Sequence, residues 1–208
     1  MTHTNIKAVF FDFMGTCLDW HSGTIKALPQ TISESERIEV TLEKTLDALL
    51  EKRPVHKHLF DEKTKERCIT AWHSMPAWPD VARAIGQLKS AGYEVFVHAN
   101  GTTRLQLDLC KSSGLSFNML FSSQLLGVYK PAPESYREVL RLVNVKPGEA
   151  VLVAAHAYDT RGAKEAGMKT VYIHRWTDDI NEDMEIVKGE NDFFLEDMTN
   201  LAAVIKQL

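Results

Sequence analysis

The chain has 208 residues, 44% of them apolar and 25% charged, and its 24 basic and 28 acidic residues leave a net charge of −4. A chain of this length buries roughly 70% of the surface it exposes unfolded, so one medium domain, or a domain with a large insertion, is expected and wholesale disorder is excluded. The lack of a basic excess argues against a nucleic-acid partner, no apolar run reaches the ~18 residues of a membrane span, and Cys17, Cys68 and Cys110 are too scattered for a disulfide framework or a zinc knuckle.

The first apolar run is Ala8-Val9-Phe10-Phe11. It continues to Met14 but is interrupted by Asp12 and lacks a small-residue cleavage pattern, so it reads as a buried strand and not as a signal peptide. Residues 20–77 are charge-rich and helical: Ile38, Leu42, Leu46 and Leu49-Leu50 mark one amphipathic helix, and a second spans about Asp61 to Trp72. Pro29, Pro54 and Pro76 punctuate this stretch. From Val81 onward helix and strand alternate. Val81-Ile85-Leu88 has helical period, Val95-Phe96-Val97 reads as a strand, and Leu105 to Leu109 as a helix. Helices over Tyr136 to Val143 and Thr160 to Ala166 bracket the strand Val151 to Ala154. Thr170 to Ile173 is a further strand, and a last helix is expected over Thr199–Leu208. Continuous β-branched and aromatic runs separated by helices predict an α/β fold with a doubly wound parallel, Rossmann-like sheet. Its core would comprise residues 1–19 and 78–208, with 20–77 a small inserted helical domain.

The strong polar signals follow the strands, at the carboxyl ends where open parallel sheets bind ligands. Asp12 ends the first run, and Gly15-Thr16 supplies a tight loop behind it. Asn100-Gly101 follows the second run, Lys130-Pro131 precedes the helix near Pro133, and His156-Ala157-Tyr158-Asp159 follows the third. Singly, each is an ordinary turn former, helix cap or solvated cation. Together, in order, they predict one site holding two carboxylates, an amide and an ammonium.

These motifs resemble the haloacid dehalogenase superfamily of hydrolases: Phe11-Asp12-Phe13-Met14-Gly15-Thr16, Ala99-Asn100-Gly101, Lys130-Pro131-Ala132-Pro133 and an acidic fourth motif. The inserted helices look like that family's cap. Tyr136 six residues after Lys130, and the run Val153 to Lys164, resemble the 2-haloacid dehalogenase (type II) branch. The resemblance implies Asp12 as nucleophile, Lys130 as its counter-charge, Thr16 as a donor, and Asp159 as the group that orients or activates water. It also implies contacts to substrate from Asn100, Tyr136, His156, Met14 and position 99.

The phosphatase branch carries a second Asp where Met14 stands, and an early carboxylate for magnesium where Ala155 stands. Met14 can neither protonate a leaving oxygen nor activate water, and the remaining carboxylates are a thin set for a hard cation. A hydrolase acting on carbon without a metal or other cofactor is therefore expected, in a soluble, cytoplasmic protein with a small-molecule substrate and no membrane partner. A magnesium phosphatase is the alternative, and a catalytically impaired binding protein a further one. Ala99 replaces the usual hydroxyl residue, the segment between Thr16 and Trp78 is short for that branch's cap, and no cap Arg after an aromatic is found. Arg37 and Arg53 are candidates by charge alone. Trp20 and Trp72 flank the linkers as candidate walls of the cleft.

Overall fold

The computed structural model describes residues 5–20 and 38–208, the side chains of 38–42 and 56 excepted. Six parallel strands run in the order β3-β2-β1-β4-β5-β6. They are β1 Ala8–Phe11, β2 Glu94–Ala99, β3 Met119–Ser122, β4 Ala150–Ala154, β5 Lys169–Ile173 and β6 Phe193–Leu195. This is a doubly wound sheet whose winding direction reverses beside β1, so a crevice opens at its carboxyl end.

Strand alternation sends the two sets of apolar side chains to opposite faces. Val9, Phe11, Val95, Val97, Val151, Val153, Val171 and Ile173 share one buried cluster with helices α4 (Val81–Ser90), α5 (Thr103–Ser113) and α10 (Leu201–Ile205). Ala8, Phe10, Phe96, Leu152 and Ala154 face the other way, against α7 (Pro133–Leu142) and α8 (Ala157–Glu165). Both faces of the sheet are thus covered, which is why its strands read as continuous apolar runs and not as alternating ones.

Three helices lie between β1 and α4 in the chain: α1 Ile38–Lys52, α2 Pro54–Lys57 and α3 Glu62–Ala71. The Asp61 side chain caps α3 by accepting from the Thr64 amide at 2.8 Å, the N-cap chemistry that starts a helix. The chain leaves and re-enters the sheet through paired linkers. Leu18 and Ala77 form an antiparallel bridge, the Asp19 amide donates to the Pro76 carbonyl and the Trp78 amide to the Cys17 carbonyl, both at 3.1 Å.

Five elements depart from the sequence expectation or add to it. Strands β3 and β6, and helices α6 (Ser123–Leu126) and α9 (Met184–Glu190), were not expected. The last helix is shorter than Thr199–Leu208, spanning Leu201–Ile205. Asp159, a candidate helix cap by sequence, lies inside the first turn of α8, and His156 holds the N-cap position. Pro29 and Arg37 lie outside the described residues.

Candidate active site

Four loops meet at the carboxyl edge of the sheet. Asp12 follows central β1, and its amide is pinned to the Val153 carbonyl of β4 at 3.1 Å. Lys130 precedes α7, and Asp159 projects from α8. Lys130 Nζ donates to Asp12 Oδ1 at 2.9 Å and also to Asp159 Oδ2. All three are buried, with Asp159 fully inaccessible and Asp12 and Lys130 at 5% and 4% exposure. Burying charges costs several kcal/mol each unless they are paired and hydrogen-bonded, and here every charged atom of the trio has a partner.

Each member is held from a second side. The Thr16 hydroxyl accepts the Ala155 amide at 2.8 Å, which turns its proton toward Asp12 Oδ2, 2.7 Å away. The Asn100 side chain clips the backbone of Lys130: Oδ1 accepts its amide and Nδ2 donates to its carbonyl, each at 2.9 Å. The Tyr136 hydroxyl donates to Asp159 Oδ1 at 2.7 Å. Tyr136 in turn lies so close to Gly162 that a Cβ there would sit 2.7 Å from its hydroxyl, so the helix carrying Asp159 must be bare at that point.

His156 is placed between two carboxylates. Its Nδ1 is 3.1 Å from Asp12 Oδ2, and its Nε2 is 3.2 Å from Asp178 Oδ1. Both ring nitrogens face acceptors, so both must donate, and only the imidazolium does this. Asp178 also accepts from Trp20 Nε1 at 2.9 Å and from the Thr177 hydroxyl at 2.6 Å. Gly15, at φ +82°, makes room for this arrangement: a Cβ there would meet Asp178 Oδ1 at 2.6 Å and His156 Cε1 at 2.9 Å.

The charge states follow from these contacts. Burial alone would raise the Asp12 carboxyl, but Lys130 and His156 overcome it and hold Asp12 well below the usual carboxylate range. Burial opposes the charge on Lys130, yet Asp12 and Asp159 raise its affinity for its proton. Burial likewise opposes the charge on His156, and the hydrogen bonds to Asp12 and Asp178 more than offset it, lifting its pKa well above the ordinary value. Asp159 is pushed upward by burial, against the pull of Lys130.

A cavity of about 300 Å³ opens over Asp12, lined by Met14, Trp20, Trp72, Asn100, His156, Tyr158 and Asp178. Trp20 and Trp72 stack at 6.4 Å between ring centres, joining linker to inserted helix along one wall. The structure therefore gathers Asp12, Thr16, Asn100, Lys130, His156 and Asp159 in one place, with Met14 on the cavity wall. Two expected substrate contacts are corrected. Tyr136 has no accessible surface and lies beneath Lys130 and Asp159, so it supports the site from below and is no part of the cavity wall. Ala99 is 3% exposed in the apolar core, with its carbonyl taken by Gln106, and does not reach the cavity. Arg53 is exposed at the end of α1, away from the cavity.

Sequence reasoning missed the loop after β5. Arg175 donates to the Thr16 carbonyl at 3.2 Å, pairs with Asp80 at 3.0 Å and lies over the Trp78 ring. Asp179 accepts the Ala157 amide at 2.5 Å, capping α8. The signal was present, since these residues follow the run Thr170 to Ile173 as the other motifs follow theirs. Among the described residues, no group of three or more His, Cys, Asp or Glu is placed to hold a metal ion, and no helix is long and apolar enough to cross a membrane.

Removing Lys130 leaves two buried carboxylates with no cation between them. Lys130→Ala should therefore lower unfolding stability by about 3–5 kcal/mol, read from denaturant melts at neutral pH; a loss below 1 kcal/mol would contradict the buried pairing. The raised pKa of His156 implies a second effect. Its contribution to stability is complete below pH ~6.5, the unfolded value, and is lost as pH rises through the higher folded value. The gap in thermal stability between the native chain and His156→Asn should narrow from neutral to alkaline pH. A gap that widens would refute the doubly donating imidazolium.

Residues 6–167 match the family model described as haloacid dehalogenase-like hydrolase. An (S)-2-haloacid dehalogenase 4A from Burkholderia cepacia is 28% identical, over 82% of this chain and 84% of its own. A glyceraldehyde 3-phosphate phosphatase from Methanopyrus kandleri is 27% identical over 98% of both. A solved L-2-haloacid dehalogenase superposes with a TM-score of 0.81 at 27% identity, covering 96% of this chain and 98% of that one. The chain belongs to the haloacid dehalogenase-like hydrolases, and is an enzyme of that family.

Proposed function

We propose that this hydrolase cleaves the carbon–halogen bond of small 2-haloacids through an ester formed on Asp12. The observation that carries the reading is the Asp12 carboxyl at the cavity floor, held by Lys130 at 2.9 Å and flanked by side chains that suit substitution at carbon. In this reading Asp12 attacks the carbon bearing the halogen, a C–O bond forms and the halide leaves. Lys130 keeps the attacking carboxylate ionised, and Thr16 fixes its rotation. Asp159 and Tyr136 hold Lys130 from below, while Asn100 fixes its backbone and presents an edge to the cavity. Met14, Trp20, Trp72 and Tyr158 supply a dry wall, which leaves the nucleophile less solvated. Water then opens the ester, releasing a 2-hydroxyacid.

The magnesium phosphatase is a second reading, favoured by the phosphatase relative that matches nearly the whole chain. The donor set does not suit that ion. Both Asp12 oxygens already face donors, in Lys130, Thr16 and His156. Position 14 offers a thioether and position 155 a methyl, where a hard cation needs oxygen.

The test is hydrolysis of the 2-chloropropionate enantiomers and of p-nitrophenyl phosphate, with and without magnesium. Chloride release should be indifferent to chelation, and Asp12→Asn should lose it by several orders of magnitude while keeping its fold, because the amide is nearly isosteric but barely nucleophilic. Phosphate ester turnover that requires magnesium would transfer the assignment to the phosphatase. Turnover of neither substrate would favour the catalytically impaired binding protein.

A further inference from the structure

The expectation that Asp159 handles the hydrolytic water meets an obstacle. Asp159 is fully inaccessible, with Lys130 on one oxygen and Tyr136 on the other, and it does not line the cavity. The ionisable groups that do are Asp12, His156, Tyr158 and Asp178. Asp12 is the carboxyl to be opened, and burial raises the Tyr158 phenol above its ordinary range, so it is not a base near neutrality. His156 and Asp178 remain, and of the two His156 is the one that touches Asp12, at 3.1 Å, with 21% of its side chain exposed against 4% for Asp178, which lies on its other ring nitrogen.

Resting on the dehalogenase reading, we infer that His156 is the base that activates water for opening the Asp12 ester, with Asp178 as its positioning carboxylate. In the resting enzyme the imidazolium bridges Asp12 and Asp178. Alkylation removes the negative charge from Asp12, and with it half of what held the proton, so Nδ1 releases that proton to solvent. Neutral Nδ1 then takes a proton from water as the water oxygen bonds to Asp12 Cγ. The tetrahedral adduct collapses by breaking the bond from Cγ to the substrate oxygen, and the departing alkoxide takes the proton from Nδ1. The regenerated carboxylic acid at Asp12 passes its proton to His156, restoring the bridged pair. Over the cycle one halide and one proton leave and one water is consumed.

Asp178 orients the ring throughout, because its Oδ1 stays on Nε2 whatever happens at Nδ1. The charged and titratable groups around the ring are Asp12 from the end of β1, Asp178 and Asp179 from the loop after β5, Tyr158 from its own helix, and Lys130 beyond Asp12. Gly15 is shaped for this dyad, since any side chain there would strike both partners.

The experiment is rapid-quench single turnover of 2-chloropropionate, following chloride, 2-hydroxypropionate and intact-protein mass. The native chain should release both products without a lasting adduct. His156→Asn should give one equivalent of chloride, then open the ester at least ~100-fold more slowly, with the carboxyethyl adduct visible by mass. Asp178→Asn should slow opening less and move the midpoint of its pH profile downward, a shift that a merely structural role would not produce. If the Asn variant of His156 does not fold, His156→Gln is read in the same way. Adduct opening at the native rate in the His156 variants, or an unmoved pH midpoint in Asp178→Asn, would overturn the dyad. If the native chain forms no adduct and releases no chloride, the dehalogenase reading itself fails, and the dyad falls with it.

Discussion

A single buried ammonium organises this molecule's site. Lys130 Nζ lies between the carboxylates of Asp12 and Asp159, in a region with almost no access to water. An ion there is tolerated only if its neighbours are fixed at hydrogen-bonding distance, and the surrounding contacts meet that demand. Asn100 fixes the Lys130 backbone, Tyr136 fixes Asp159, and Thr16 fixes Asp12. Each fixer comes from a different strand end or helix, so the sheet order, with β1 between β2 and β4, is what brings the charges together. The same pairing that makes the cluster stable keeps Asp12 ionised at any ordinary pH.

The parallel sheet and the charged trio were legible in the sequence because both rest on local patterns. Runs such as Ala8-Val9-Phe10-Phe11 and Val151 to Ala154 are apolar throughout because helices cover both faces of the sheet. Polar residues immediately after them stand out for that reason. What was illegible lacked such contrast. Strand β3 is an edge strand with Met119 exposed and Leu120 only partly buried, β6 has three residues, and helix α9 contains Gly189. Motif position also does not disclose depth: Tyr136 and Ala99 match segments of a site motif yet lie beneath the cavity. The Asp178 loop is a different case. It obeys the strand-end rule already in use, and only the weaker apolar contrast of Thr170 to Ile173 obscured it.

The loop after β5 links the inserted helices to the chemistry. Trp20, in the outgoing linker, donates to Asp178 and stacks on Trp72 at the end of α3. Asp178 meets His156, and His156 meets Asp12. A continuous run of hydrogen bonds and ring contacts thus passes from the inserted segment to the proposed nucleophile. Gly15 is the one backbone position whose bare Cα makes that run possible, because a side chain would occupy the space that Asp178 and His156 share.

The proposed reaction requires Asp12 to bond covalently to substrate carbon. Single-turnover hydrolysis of 2-chloropropionate in heavy-oxygen water tests it most directly. The first 2-hydroxypropionate should carry light oxygen derived from Asp12, while the label enters the Asp12 carboxylate as water opens the ester at Cγ. Heavy oxygen in the product of the first turnover, with none in Asp12, would mean that water attacks the substrate itself and that Asp12 is not the nucleophile.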